Sequence, residues 1–360
     1  MNRIFVSAAM AAFFLFLAWF VSLRQAVLFL VGIGMGSVLA GWRFGFTTGW
    51  RKLIEQRDAS GVVAQIVLLV LAAAVSMPLL AAFPGDLGAA LGPPSVSLLV
   101  GAFVFGACMQ VADGCGSGTL YKAGLGIPLN TVILPVFAVG SFLGSAQLEQ
   151  WLQLGAIKPV GLVATFGAGE AFGITLLGLL AVGWLAVRWS DRSRPWLDRR
   201  LMVGAVLLAI LAVLNLLIAG QPWGIVYGFG LWAAKIATAA GVFEPGVNAF
   251  WSQSVNANSL SQSVFLDVTS ITNIGILAGA FWIAAGKGGS SSSKPLTGSQ
   301  WAVGIVAGFL LGYSSRLAFG CNIGAMVSGI STGSLHGWIW VPLAFCGSLI
   351  GVRVRRHFGF

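Results

Sequence analysis

Two cysteines sit in matching glycine-rich settings, Ala112-Asp113-Gly114-Cys115-Gly116-Ser117-Gly118-Thr119 and Ala318-Phe319-Gly320-Cys321-Asn322-Ile323-Gly324. Each interrupts an otherwise apolar run. Glycine permits a tight break and close backbone approach, and broken backbone at membrane depth is tolerable only where it lines a cavity or is buried in protein. A helix that restarts after such a break aims free N–H groups and a positive dipole end at the cavity, which suits an anion without a buried lysine or arginine. The cysteine adds a soft, polarizable sulfur with a weak S–H donor. Ser117, Thr119 and Asn322 add hydroxyl or amide groups able to bond oxyanion oxygens. These residue types together suit a sulfur-bearing anion. The plainer alternative is that the glycines serve close helix packing and the cysteines are small buried fillers. Repetition of the motif weighs against it.

Such breaks need long helices to carry them. Of 360 residues, 58% are hydrophobic and 8% charged, against roughly 45–50% and about 25% in soluble domains, so a water-soluble fold could not cover its own surface. Apolar runs near 4–23, 26–42, 62–83, 96–112, 127–147, 171–187, 201–219, 264–285, 301–317 and 337–352 reach or approach the length a helix needs to cross a bilayer core. The expected fold is an all-α integral membrane protein of about ten membrane segments. The first run resembles a signal-peptide core, but its end, Ala18-Trp19-Phe20-Val21-Ser22, has no convincing small-residue cleavage site and reads as a retained helix.

The net charge of +10 resides in short loops: Arg51-Lys52 with Arg57, five arginines between Arg188 and Arg200, Lys287 to Lys294, and Arg353, Arg355 and Arg356. Placing all four in the cytoplasm makes the segment count alternate correctly and puts both termini inside. The same placement removes the argument for a nucleic-acid partner. Segment 286–299, GKGGSSSSKPLTGS, reads as a flexible cytoplasmic linker. The four cysteines, Cys108, Cys115, Cys321 and Cys346, lie in or beside apolar segments, so no structural disulfide is expected. The only histidines are His336 and His357, and neither lies near either motif cysteine in sequence; no metal, cofactor or enzymatic activity is expected. No nucleotide-binding loop of the G-x-x-x-x-G-K-[ST] kind is present.

The chain repeats itself. Gly106-x7-Gly114-Cys115-x2-Gly118 matches Gly312-x7-Gly320-Cys321-x2-Gly324 at an offset of 206, and each copy precedes an apolar run ending in Gly-Ser-x-x-Gly, at Gly140 to Gly144 and Gly347 to Gly351. A fainter echo joins Gly41-Trp42-Arg43-Phe44-Gly45-Phe46 to Gly224-Ile225-Val226-Tyr227-Gly228-Phe229. With the topology above, the helix leading to Cys115 runs inward and the helix leading to Cys321 runs outward. The expected organisation is an extra N-terminal helix over 1–25, a first half over 26–187, a basic cytoplasmic linker over 188–200, and an inverted second half over 201–360. Many transporters use such halves to build a midplane substrate site from broken helices.

Charged residues in or near membrane segments are functional candidates, here Asp113, Lys122, Arg43, Lys235, Asp267 and Arg316. Arg43 and Lys235 read as helix-end snorkellers, Asp113 as a partner for Lys122 or as the mark of a different substrate charge or of proton coupling, and Arg316 equally as an anion holder or an interfacial residue. The polar region 243–262 reads as an external lid or vestibule loop. The fourteen tryptophans fit an interfacial belt.

At these residues the chain resembles the YeeE/YedE family of bacterial inner-membrane sulfur-compound transporters, whose best-described members take up thiosulfate. Gly114-Cys115-x-Ser117-Gly118-Thr119-x-Tyr121-Lys122-Ala123-Gly124-x-Gly126 is similar to the family's GC-x-[ST]-G-T-x-[YF]-[RK]-x-G-x-G stretch. Gly320-Cys321-Asn322-Ile323-Gly324 with Gly337-Trp338 resembles its second cysteine stretch. The likeness runs from about Gly32 to Gly351. It implies an hourglass with inverted halves, with Cys115 and Cys321 passing the anion through S–H···S hydrogen bonds. Around them stand Gly114, Gly118, Gly320, Gly324, Ser117 and Asn322, with Asp113, Lys122 and Arg316 as accessory candidates. The family carries a further cysteine in an R-F-C stretch; here Gly45 of Arg43-Phe44-Gly45 stands in its place, which leaves two of three relay positions filled. Cys108 and Cys346 are weak substitutes.

The resemblance implies a small sulfur anion and the lipid bilayer as partners, and a small cytoplasmic sulfur-carrier protein as a further one. Two other readings share the soft-atom logic: a relay that passes persulfide sulfur to that carrier, and transport of a selenium compound.

Overall fold

The computed structural model describes residues 3–286 and 295–360. Over them the chain is helical, with no β-strand and isolated bridges at Ser95–Ala156 and Gly161–Ser334. Most of the linker expected at 286–299 lies outside the described residues. The principal helices are α1 (Arg3–Phe20), α2 (Leu23–Gly41), α3 (Phe46–Gln56), α4 (Ser60–Ala82), α5 (Val96–Val111), α6 (Gly116–Gly124), α7 (Pro128–Ala146), α8 (Ala168–Trp189), α9 (Arg199–Ala219), α10 (Val226–Ala239), α11 (Val268–Ala285), α12 (Gly298–Leu317) and α13 (Leu335–His357), with a π-helix at Asn322–Ser328. Ten helical stretches among the described residues are long and apolar enough to cross a membrane, and they match the ten runs read from the sequence. Large apolar side chains such as Leu177, Trp184 and Leu185 on α8 and Ile210 and Leu217 on α9 stand exposed on the outer surface. Each would cost about 1.5–3 kcal/mol against water relative to full burial, whereas lipid solvates it.

Three of the four basic regions gather at one end, and the fourth, Lys287 to Lys294, lies outside the described residues. The Asp191 N–H donates to the Arg57 carbonyl at 2.9 Å, Arg356 pairs with Glu55 at 2.7 Å, and Gln300 Nε2 donates to the Phe358 and Gly359 carbonyls at 3.0 and 2.9 Å. Near the N-terminus, Arg3 stacks over the Trp282 ring at 4.4 Å, and Trp282 lies four residues before Gly286 at the start of the polar linker. Arg355 bonds the Gln110 carbonyl near the C-terminus of α5. The last turns of α13 thus touch the end of α5 and the start of α12, so the helices that lead to Cys115 and Cys321 run in opposite directions along the molecule.

The long helices pair across the chain, each early helix with a late one. Helix α5 packs along α13 while α12, the repeat of α5, packs along α7; likewise α2 packs along α11 and α9 along α4. Glycine sets the separation. A Cβ at Gly106 would come 2.0 Å from the Ala344 carbonyl oxygen, and one at Gly312, its counterpart 206 residues on, 2.1 Å from that of Phe137. In lipid, where apolar surface gives no drive for helix association, such backbone contact is what holds helices together. Between these pairs the ring of Trp340 packs against Trp50 and Phe105, with centroids 6.0 and 5.6 Å apart.

Candidate functional site

Helices α2, α5 and α12 each end in a non-glycine residue with left-handed backbone: Arg43 (φ 54°), Asp113 (φ 54°) and Phe319 (φ 55°). That conformation costs an L-residue about 1–2 kcal/mol. At two of the breaks the hydrogen bonds that offset it are alike. The Gly114 N–H donates to the Met109 carbonyl at 3.1 Å, and the Gly320 N–H to the Ser315 carbonyl at 2.8 Å, the six-to-one closure that turns a chain sharply out of a helix. A new helix starts within two residues, with Cys115 as N-cap of α6 and Cys321 as N-cap of the π-helix. Gly45 is the N-cap of α3, the same structural position as the cysteines.

A fourth start went unforeseen. Helix α10 follows a break at Gly220 (φ 68°), has Ile225 as N-cap and, at 14 residues, is too short to cross a membrane. The faint echo in the sequence located the region but in the wrong register, because Gly45 corresponds to Ile225 rather than to Gly228.

The four starts meet around Gly116. A Cβ there would lie 2.9 Å from Cys321 Sγ and 3.1 Å from a Val226 methyl, and the Gly116 N–H faces the Cys321 sulfur. Cys115 Sγ lies 3.3 Å from Ser117 Oγ, faces the N–H groups of Gly118 and Ser117, and has Thr47 of α3 beside it. The Ile323 N–H donates to Cys321 Sγ at 3.4 Å. Both cysteines are buried. Cys108 is buried on α5 and Cys346 is exposed on α13; neither is among the residues lining the cavities described next.

Two cavities flank the cysteine pair. On the side away from the basic end, a vestibule of about 620 Å³ reaches Gly320 and Gly324, with Tyr227, Arg24 and Arg316 in its wall and Asn256 and Ser259 from the polar region after α10. On the other side a cavity of about 10 Å³, lined by Gly45, Thr47, Gly114, Cys115, Gly118, Asp113 and Lys122, has room for about one water. Among the described residues the Asn322 amide and the Thr119 hydroxyl are buried with no hydrogen-bond partner, a state that native structures seldom leave without a guest or a water.

The accessory residues separate along this line. Asp113 pairs with Lys122 at 2.6 Å as expected, and also with Arg51 at 2.8 Å and Arg355 at 3.5 Å, two cations that had served only as topology markers. Lys122 also donates to the Asp113 carbonyl. Arg316 lies in the vestibule, donates to Ser145 Oγ at 2.8 Å and stacks near Phe250 and Tyr227. No carboxylate lies within ion-pair distance of it among the described residues. Lys235, expected to snorkel, instead donates to the Leu260 and Gln262 carbonyls and so ties down the polar region at 243–262. At the rim, burial raises the Asp267 carboxyl above its ordinary value, against the Ser270 hydrogen bond and Lys235. Mild acid therefore discharges this group before it would an ordinary aspartate.

The profile of the sulphur transport family matches residues 43–350. The chain belongs to this family. It is 25% identical over 333 residues to the thiosulfate transporter TsuA of Spirochaeta thermophila, covering 86% of this chain and 92% of that protein. To the thiosulfate transporter TsuA of Escherichia coli it is 24% identical over 348 residues, covering 90% and 94%. A probable transporter, YedE of Escherichia coli, is 25% identical over 167 residues, 46% of this chain and 40% of its own length. The family match over residues 43–350 includes both cysteine loops and all four helix starts.

Proposed function

We propose that this sulfur transporter carries a thiosulfate-like anion across the bacterial inner membrane, from the vestibule past Cys321 and then Cys115 toward the basic, cytoplasmic end. The observation that carries the reading is the contact of Cys321 Sγ with Gly116, next to Cys115, where the vestibule gives way to the small inner cavity. The pairing of α5 with α13 and of α12 with α7 supports halves related by inversion, with the restarting helices aiming their N-termini at the path. Arg316 attracts the anion into the vestibule. The two sulfurs offer S–H···S contacts, and the unpartnered Asn322 and Thr119 groups take oxyanion oxygens.

Complete burial of both sulfurs favours passage over a relay in which a cysteine hands persulfide directly to a soluble protein. A small sulfur-carrier protein would receive the product at the basic end, beside Arg57 and Arg356. The test is radiolabelled thiosulfate uptake into proteoliposomes. Cys115→Ala and Cys321→Ala are each expected to reduce uptake at least about tenfold while both proteins stay folded; undiminished uptake by either would remove that cysteine from the path.

A further inference from the structure

One carboxylate at the inner end is shared by three cations. Asp113 accepts hydrogen bonds from Arg51 and Lys122 and forms an ion pair with Arg355 at 3.5 Å, and all four side chains are largely withdrawn from solvent, between 12% and 25% exposed. Asp113 and Lys122 also line the small cavity in which Cys115 lies. With its carboxylate ionised the four-residue cluster carries a net charge of +2, with Glu55 the nearby carboxylate acting on Arg355, so an arriving anion would be held there. An anion leaving Cys115 for the basic end therefore meets cations already held by an internal anion, in a space with room for about one water.

We propose that Asp113 is a tethered counter-anion: it closes the inner end by holding Arg51, Lys122 and Arg355 together, is displaced when the passing anion takes over those cations, and drives release by reclaiming them. This rests on the path proposed above and adds its gate. Without Asp113 the three cations would bind the passing anion too well. An interaction that favours the bound anion, with no rival, lowers KM and slows turnover together. The backbone gives Asp113 a fixed place to return to, because its left-handed φ of 54° and the Gly114–Met109 hydrogen bond anchor the residue independently of its carboxylate.

The test compares the natural protein with Asp113→Asn and Arg51→Gln, in uptake and in binding. In proteoliposomes, Asp113→Asn is expected to lower KM and kcat for thiosulfate together, each on the order of tenfold, and Arg51→Gln to raise KM. A carboxylate that merely braced the fold would lower kcat or yield without lowering KM. In detergent, sulfate binding read from the rise in melting temperature addresses the cluster whether or not thiosulfate is carried. Asp113→Asn is expected to bind sulfate more tightly than the natural protein, and Arg51→Gln more weakly. Equal or weaker sulfate binding by Asp113→Asn overturns the proposal. Where Asp113→Asn does not fold, an unchanged or tighter affinity in Arg51→Gln overturns it equally. Failure of the thiosulfate reading shows separately, as absent uptake by the natural protein.

Discussion

The two cysteine loops share a tight turn and differ at the left-handed residue that makes it. In both, a helix closes with the same six-to-one hydrogen bond, a left-handed residue follows, then glycine, then the cysteine that starts a new helix. The left-handed residue is Asp113 in one loop and Phe319 in the other. Asp113 draws three cations onto itself beside a cavity of about 10 Å³. Phe319 instead packs its ring against His336, with centroids 6.4 Å apart, and borders a vestibule of about 620 Å³ that Asp267 also lines but in which Arg316 has no carboxylate within ion-pair distance among the described residues. On the proposed path, a turn used twice would give two similar loops, and the residue at one repeated position would make one end open and cation-lined and the other closed by charge. Direction would then reside in side chains rather than in topology.

The comparison breaks most severely if the shared frame is removed. Gly106→Val and Gly312→Val each force side-chain atoms into a partner helix's carbonyl, where a Cβ alone would come within 2.0 and 2.1 Å. Neither backbone can yield without parting the helix pair, so each substitution is expected to cost at least about 3 kcal/mol, read as loss of monodisperse protein after extraction and a lower melting temperature. Equal losses fit one frame used twice. A large loss in only one would show that the halves carry unequal structural loads.

A smaller change sharpens the contrast between the loops. Phe319→Asp places the inner loop's charge at the outer loop, in the wall of the vestibule and without the three cations. A carboxylate there repels an incoming anion, so KM for thiosulfate is expected to rise by about fivefold to tenfold with kcat little altered. An unchanged KM would mean that the residue at this position does not distinguish the ends.

How much of this was legible in the sequence follows from which physics is local. The ten membrane-crossing helices depend on apolar run length and were found with the right number and nearly the right bounds. The cysteine loops were found because Gly-Cys-x2-Gly recurs at a fixed offset. Helix α10 was missed because, at 14 residues, it is too short to signal a span, and its N-cap is an isoleucine in place of a glycine or cysteine. Arg51 and Arg355 were visible only as loop charge. Their convergence on Asp113 requires α3 and α13 to meet the end of α5, a contact between residues 62 and 242 apart in sequence that no local pattern announces. Gly116 was overlooked although it stands next to Cys115, because its importance lies in what it leaves room for, the sulfur of Cys321.

Gly45 is the finest probe of the comparison, since it occupies the cysteine's place at a third helix start. Its backbone, φ −119° and ψ 119°, is ordinary extended geometry that any residue adopts. A Cβ there would meet Thr48 Oγ1 at 3.0 Å and Thr48 Cβ at 3.2 Å, so a small rearrangement of the Thr48 side chain admits one. Gly45→Cys is therefore expected to fold normally and to add a third sulfur to the inner cavity. If the Asp113 cluster limits passage at this end, the extra sulfur lies before the limiting step, and thiosulfate uptake should change by no more than about threefold. Combined with Asp113→Asn, it should leave the low KM of that variant in place. A rise of tenfold or more from Gly45→Cys alone would instead assign the inner barrier to the missing sulfur, and the charge difference between the two loops would then set affinity without setting rate.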